Sequence, residues 1–305
     1  MLFFFTMFAV IKSFSWLRTV PWLFIIAVYS TLLLSQGPAN AVSNFVAQLS
    51  IAATMAVGSF VAGGTALGGG AVAFPVMTKL LAIEPATAKV FSLAIQSFGM
   101  TAATLTIIFS RIPYYKQVVL IATPMAILGA VLSLLFIADH LPRLAVKGVF
   151  SALLLCFALT LAWRIYRRAQ HICSQTKIIV NKTRVALIAT LGGVASGLVG
   201  SGADIAIFAL LVIAYNANIQ RATATTVIIM AVTSVVASIV NYFYLETINS
   251  QIQAYLLAAI PVVVLGAPLG AYVCAKVKSG QLISFLLLLI ALEVSFTIYE
   301  LLSVV

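Results

Sequence analysis

Two glycine clusters set in apolar sequence are the most chemically informative residues of this chain. The first glycine cluster is Gly68, Gly69 and Gly70, and the second is Gly200, Ser201 and Gly202. Glycine permits a break in a helix, and a broken helix exposes unpaired N–H groups and the positive end of its dipole. Such a terminus can bind an anion, and the hydroxyls of Thr65 and Ser201 could add donors. Close helix packing is the alternative interpretation, because small residues four apart also let helices approach.

A single acidic residue, Asp204, follows the second glycine cluster in the apolar run GSGADIAIFALL. A carboxylate in mid-membrane costs about 2.5–3.5 kcal/mol on insertion scales, so it usually serves a function. Asp204 could carry a proton, or it could cap the helix that begins here by accepting from free N–H groups. The two interpretations remain open, and both can hold. The equivalent position after the first cluster is Val72, so the acid is asymmetric.

Amide and hydroxyl side chains in the segments that follow each cluster are candidates for lining a polar cavity. These residues are Gln96, Ser97 and Thr226. Hydrogen bonding between neighbouring helices is the alternative role for each of them.

A repeated pattern specifies the elements that must position these residues. ATPMAILGAVLS at 122–133 recurs as AIPVVVLGAPLG at 259–270. We therefore interpret 47–168 and 184–305 as two copies of one transmembrane unit, joined by a basic cytoplasmic linker at 169–183. Residues 1–46 are predicted to form an N-terminal anchor helix. Duplicated halves with glycine-interrupted apolar segments are typical of transporters whose site lies between the repeats.

Composition places the chain among polytopic α-helical membrane proteins. It is 63% hydrophobic and 8% charged, with a mean hydropathy of +1.19. The net charge of +11 matches the basic cytoplasmic loops of membrane proteins and does not indicate nucleic acid. Neither metal-ligand spacing nor paired catalytic groups occur, so we expect no metal, no cofactor and no enzyme. The sequence is compatible with an oligomer.

The distribution of the 17 basic residues discriminates between two topologies. If each glycine cluster is the end of a hairpin of two half-helices, most basic residues lie on the cytoplasmic side. If each cluster is a kink in one spanning helix, the basic residues divide almost evenly. The positive-inside rule favours the hairpins. Each repeat then has one hairpin and three spans, an odd number, so the two repeats are inverted and their clusters can meet near the midplane.

These motifs resemble the sulfite exporter TauE/SafE family of membrane permeases. The matching pieces are GGTALGGGAVAFP at 63–75, ATAKVFSLAIQSFG at 86–99 and ATPMAILGA at 122–130, with SGLVGSGADIAIF, RATATTV and AIPVVVLGA in the second repeat. The resemblance implies movement of sulfite, sulfonates or related small organic anions, linked to protons. The second repeat departs from the pattern, because Ser201 replaces a glycine, Ile207 stands where Pro75 stands, and Asp204 is added.

We therefore expect a secondary transporter of a small anion that works by alternating access in a bacterial-type inner membrane. The two glycine clusters would hold the anion, Asp204 would carry the proton, and the polar residues named above would line the cavity. The expected partners are the anion, protons and the lipid bilayer. The alternative is a non-transporting assembly or sensor subunit, in which the glycines serve only for packing.

Overall fold

The computed structural model describes residues 19–66, 68, 76–138, 140–141, 148, 151–153, 155–160, 162–163, 166 and 178–277. These residues are predominantly α-helical and form no sheet, as predicted. The helices are α1 (Val20–Gln36), α2 (Pro38–Ala47), α3 (Leu49–Gly64), α4 (Pro85–Phe109), α5 (Lys116–Phe136), α6 (Lys182–Val199), α7 (Ala203–Ala214), α8 (Ile219–Tyr244) and α9 (Ser250–Lys276). The last turns of α7 and α8 are π-helical, as is a separate turn at Val76–Leu80.

Among the described residues, five helices are long and apolar enough to cross a membrane, namely α4, α5, α6, α8 and α9, and six spans result if α1 and α2 count as one. A multi-pass membrane protein is thereby confirmed. The sequence also predicts spans at 146–166 and 281–303; the second lies outside the described residues, and the first is described only in part.

The N-terminal segment is bent, whereas the sequence predicted one anchor helix. Helices α1 and α2 meet at an angle of 98°. The bend lies at Gly37, whose φ is 75°, and Pro38 begins the next helix because it needs no N–H acceptor there. Both helices contact α9: the Tyr29 hydroxyl donates to the Pro261 carbonyl at 2.7 Å, and the Asn44 amide donates to the Ala254 carbonyl at 3.0 Å.

Glycines bring two pairs of helices into backbone contact, as their spacing predicts for close packing. Helix α3 packs on α9, where a methyl group at Gly63 would overlap the carbonyl oxygen of Ala267. Helix α5 packs on α6, where a methyl group at Gly193 would overlap the carbonyl oxygen of Ala126. The first helix of each predicted repeat thus packs on the proline-containing helix of the other repeat.

The helices beside the glycine clusters are short, as the hairpin interpretation requires. Helix α3 has 16 residues and is about 24 Å long, below the ~30 Å of a bilayer core. Helix α7 consists of seven α-helical residues and a five-residue π turn. The apolar run that predicts helix α6 begins at Val185, whereas the helix begins at Lys182, and its 18 residues reach about 27 Å.

Candidate functional site

The second glycine cluster is a break between two helices. Helix α6 ends at Val199, and Gly200 caps it in the left-handed conformation, with φ at 84°. Helix α7 begins three residues later, at Ala203. The Gly200 N–H donates to the Ser196 carbonyl at 2.8 Å, and the Ala203 N–H donates to the Ser196 hydroxyl at 2.9 Å. Ser196 therefore supports both sides of the break.

Asp204 caps the start of α7 with its own side chain. Its Oδ1 accepts from the Gly202 N–H and the Ile205 N–H, both at 3.0 Å, and from the Ser201 hydroxyl at 3.1 Å. The carboxyl group is fully buried. The capping interpretation of Asp204 is thus confirmed. The Gly202 N–H and the Ser201 hydroxyl, which the sequence analysis assigned to a bound anion, therefore donate to the carboxyl group of Asp204 in this structure.

Gln96 connects helix α4 to the second glycine cluster. Its Nε2 donates to the Gly200 carbonyl at 2.7 Å, to the Ser92 carbonyl at 3.0 Å and to the Ser92 hydroxyl at 2.9 Å. Its Oε1 is buried and has no hydrogen-bond partner in the part of the chain that the structure describes. The Nε2 group of Gln96 thus links α4 to the break at Gly200, whereas its Oε1 remains available as an acceptor.

The two glycine clusters meet at Gly68. This residue is buried, and its φ of 67° is in the region that favours glycine. A methyl group on Gly68 would overlap Asp204 Oδ2 and would lie 2.8 Å from Ser201 Oγ and 3.2 Å from Gln96 Oε1. Side-chain oxygens of Asp204, Ser201 and Gln96 therefore surround Gly68 of the first glycine cluster.

The other predicted site residues have different positions. Thr65 is buried at the end of α3, before Gly68. Thr226 is buried on α8, and its hydroxyl donates to the Thr223 carbonyl of the same helix. Gly69 and Gly70 lie outside the described residues.

The structure does not bring Ser97 to the Asp204 site. Its hydroxyl donates to the Ala94 carbonyl, and the residue lines a groove of about 460 Å³ between α4, α8 and α9. Apolar residues such as Phe98, Phe243 and Leu256 form most of that groove. The reason is helical geometry: consecutive residues point about 100° apart, so Gln96 and Ser97 cannot share one site.

Two serines of the site, Ser92 and Ser196, were not predicted. Ser92 lies one turn before Gln96 on α4, and Ser196 lies one turn before Gly200 on α6. The spacing of four residues to a site residue was a usable signal, because side chains so spaced share a helix face.

Lys89 is a buried cation on the same face of α4. It is 9% exposed. Its carbonyl oxygen would lie 3.2 Å from a methyl group on Gly200, so the turn that contains Lys89 packs directly on the second glycine cluster.

A comparison with known protein families identifies the family of this chain. The family model described as Sulfite exporter TauE/SafE matches residues 50–295, which includes both glycine clusters, Gln96 and Asp204. A comparison with curated proteins and one with solved structures gave no match. Because the family model covers most of the sequence, the chain belongs to the TauE/SafE sulfite exporter family of membrane transporters.

Proposed function

We propose that this protein is a proton-coupled secondary transporter of a small anion such as sulfite, a sulfonate or a related organosulfur or organic acid. The observation that carries the proposal is the meeting of the two glycine clusters, where Gly68 contacts Asp204, Ser201 and Gln96. Broken helices are tolerated in a membrane only where they are buried in protein or line a wet cavity. The broken helices supply backbone donors for an anion, and Asp204 supplies a group that can exchange a proton.

Alternating access follows from an inverted repeat, which we propose for 47–168 and 184–305. Two observations support it. Gly68 and Gly200, at equivalent places in the repeats, both have a positive φ. The first helix of each repeat, α3 or α6, packs on the proline-containing helix of the other repeat, α9 or α5. Motion of one repeat against the other would open the clusters to each side of a bacterial inner membrane in turn.

The site residues we propose are those around the meeting point. Gly68, Gly202 and Ser201 would contact the anion, together with Gly69, Gly70, Thr65 and Gly200. Asp204 would carry the proton. Gln96 would hold the second cluster in position, and Thr226 would contribute only if α8 moves. Ser97 is not part of this set.

Transport in liposomes tests the proposal. We expect purified protein to catalyse uptake of labelled sulfite or a sulfonate that an imposed pH gradient drives, because the proton and the anion share one site. Asp204→Asn removes the proton carrier and should abolish the effect of the gradient. Glu246→Gln is a matched control, because Glu246 is an exposed acid in a loop.

Two results would count against the proposal. Flux that a pH gradient drives equally in Asp204→Asn would remove Asp204 from the coupling mechanism. Absence of any flux or exchange of labelled anion, in protein that is folded, would favour the sensor or assembly alternative.

A further inference from the structure

The two carboxylate oxygens of Asp204 have different surroundings. Oδ1 accepts from the Gly202 N–H, the Ile205 N–H and the Ser201 hydroxyl. Oδ2 accepts from the Ser201 hydroxyl at 3.2 Å and faces Gly68. Oδ1 thus has the surroundings of a charged acceptor, whereas Oδ2 faces the side on which Gln96 Oε1 lies.

The orientation of the Gln96 amide is fixed by its neighbours. Two backbone carbonyls, of Gly200 and Ser92, accept from Nε2, so this side of the amide must carry the hydrogens. Oε1 then faces the first glycine cluster. Gln96 is 2% exposed, and no donor from the described residues reaches its Oε1, which ordinarily costs about 1–3 kcal/mol. A buried acceptor kept at such a cost indicates that a donor reaches it in some state of the protein.

We propose that Asp204 Oδ2 and Gln96 Oε1 together hold one proton between the glycine clusters, and that this proton controls binding of the anion at the second cluster. The inference rests on the proposed function and specifies its coupling. Asp204 takes a proton from water, becomes a neutral carboxylic acid and donates its O–H to Gln96 Oε1. No electrons move, and the proton returns to water when the carboxylate forms again.

The ionised carboxylate excludes the anion for two reasons. It already accepts from the Gly202 and Ile205 N–H groups and from Ser201, and its negative charge repels a second anion. Protonation removes the charge, so the same three donors can turn to a sulfonate when the clusters separate.

Few other charged or titratable groups lie on the elements packed against α7 within the described part of the chain. They are Lys182 and Arg184 at the start of α6, Arg221 at the start of α8, the exposed Tyr242 and Tyr244 at its end, Lys89 on α4, and Cys156 beside the Phe157 that contacts Phe208. Lys182, Arg184 and Arg221 lie at the helix ends remote from Asp204. Lys89 is buried, and its backbone carbonyl lies against Gly200.

Calorimetric titration of the full-length protein with methanesulfonate tests the inference. This probe is a strong acid that stays ionised across roughly pH 5 to 8, so any pH dependence belongs to the protein. Titrations in two buffers with different ionisation enthalpies give the number of protons taken up per anion. We expect about one proton in the wild type, and an affinity that rises about tenfold for each unit that the pH falls above the proton-binding range.

Two variants separate the proton site from a structural role. Asp204→Asn keeps a neutral side chain, so it should bind methanesulfonate at every pH without proton uptake. Gln96→Leu removes the acceptor of the proton, so the pH at which proton-linked binding sets in should fall. Gln251→Leu, an exposed glutamine, should leave the pH profile unchanged.

The results distinguish failure of this inference from failure of the proposed function. Wild-type binding without proton uptake would overturn the inference and leave the proposed function intact. An unshifted pH profile in Gln96→Leu, or a folded Asp204→Asn protein that binds no methanesulfonate, would also overturn it. A wild type that binds neither methanesulfonate nor sulfite at any pH would contradict the proposed function itself.

Discussion

Replacement of Gly68 by alanine tests whether contact between the two glycine clusters is needed for transport. The added methyl group would overlap Asp204 Oδ2 and would lie 2.8 Å from Ser201 Oγ. Asp204 can yield only by leaving donors that hold it at 3.0 Å. A hydrogen bond to a charged group contributes about 1.5–3 kcal/mol, so the state in which the clusters meet loses about that amount. Since about 1.4 kcal/mol is a factor of ten, its population falls roughly 10- to 100-fold.

Alternating access must pass through this closed state, so the rate of transport should fall by a similar factor. The assay is the initial rate of sulfonate uptake into liposomes, divided by the amount of folded protein. Alanine at a φ of 67° also strains the backbone, by roughly 1–2 kcal/mol. Gly37→Ala controls for strain, because Gly37 has a φ of 75° and no atom lies within 4 Å of an added methyl group.

We expect Gly37→Ala to lower the stability of the protein but to transport at the wild-type rate per folded molecule. Gly68→Ala should transport slowly even where it is folded. Wild-type transport by Gly68→Ala, or an equal loss in both variants, would refute the argument that the clusters must meet.

Two further predictions concern packing. Thr225→Val removes the hydroxyl that accepts from the Tyr115 N–H at 2.9 Å, and should cost about 1–3 kcal/mol of stability, seen as a lower Tm in detergent. Thr233→Val is its control, because the Thr233 hydroxyl bonds only a carbonyl of its own helix; an equal loss in both would contradict the prediction. Gly270→Ala places a methyl group against a backbone carbonyl of α3 and should cost about 1–3 kcal/mol, whereas Gly148→Ala meets nothing within 4 Å and should be neutral.

Much of the fold could be predicted from the sequence, because membrane helices leave strong signals. Apolar runs of about 20 residues located the spans, and glycines four residues apart indicated close helix packing, but the partners, α3 with α9 and α5 with α6, were not predicted. The bend at Gly37 was missed, because the apolar character of the segment continues across it. The start of α6 was missed by three residues, since its first turn is polar and resembles a loop.

The site was predictable in its elements and less so in its details. Gly200 and Asp204 could be identified because a helix break and a lone acid are rare in apolar sequence. Composition alone could not decide whether Asp204 caps its helix, because this depends on the local course of the backbone. The separation of Gln96 from Ser97 follows from helical rotation, but which of the two faces the break depends on how α4 packs on α8 and α9. The contact of Gly68 with Asp204 links residues more than 130 positions apart, which only the folded chain brings together.

The central claim is that the second glycine cluster forms an anion site that opens to each side of the membrane in turn. Thiol labelling tests it most directly. Ser201→Cys, made after replacement of Cys156, Cys173 and Cys274, places a thiol at a position that is fully buried here. A thiosulfonate reagent bearing a sulfonate group would be added from either face of oriented vesicles. We predict reaction from both faces and protection by sulfite or methanesulfonate; reaction from one face alone, or labelling that neither anion slows, would contradict the account.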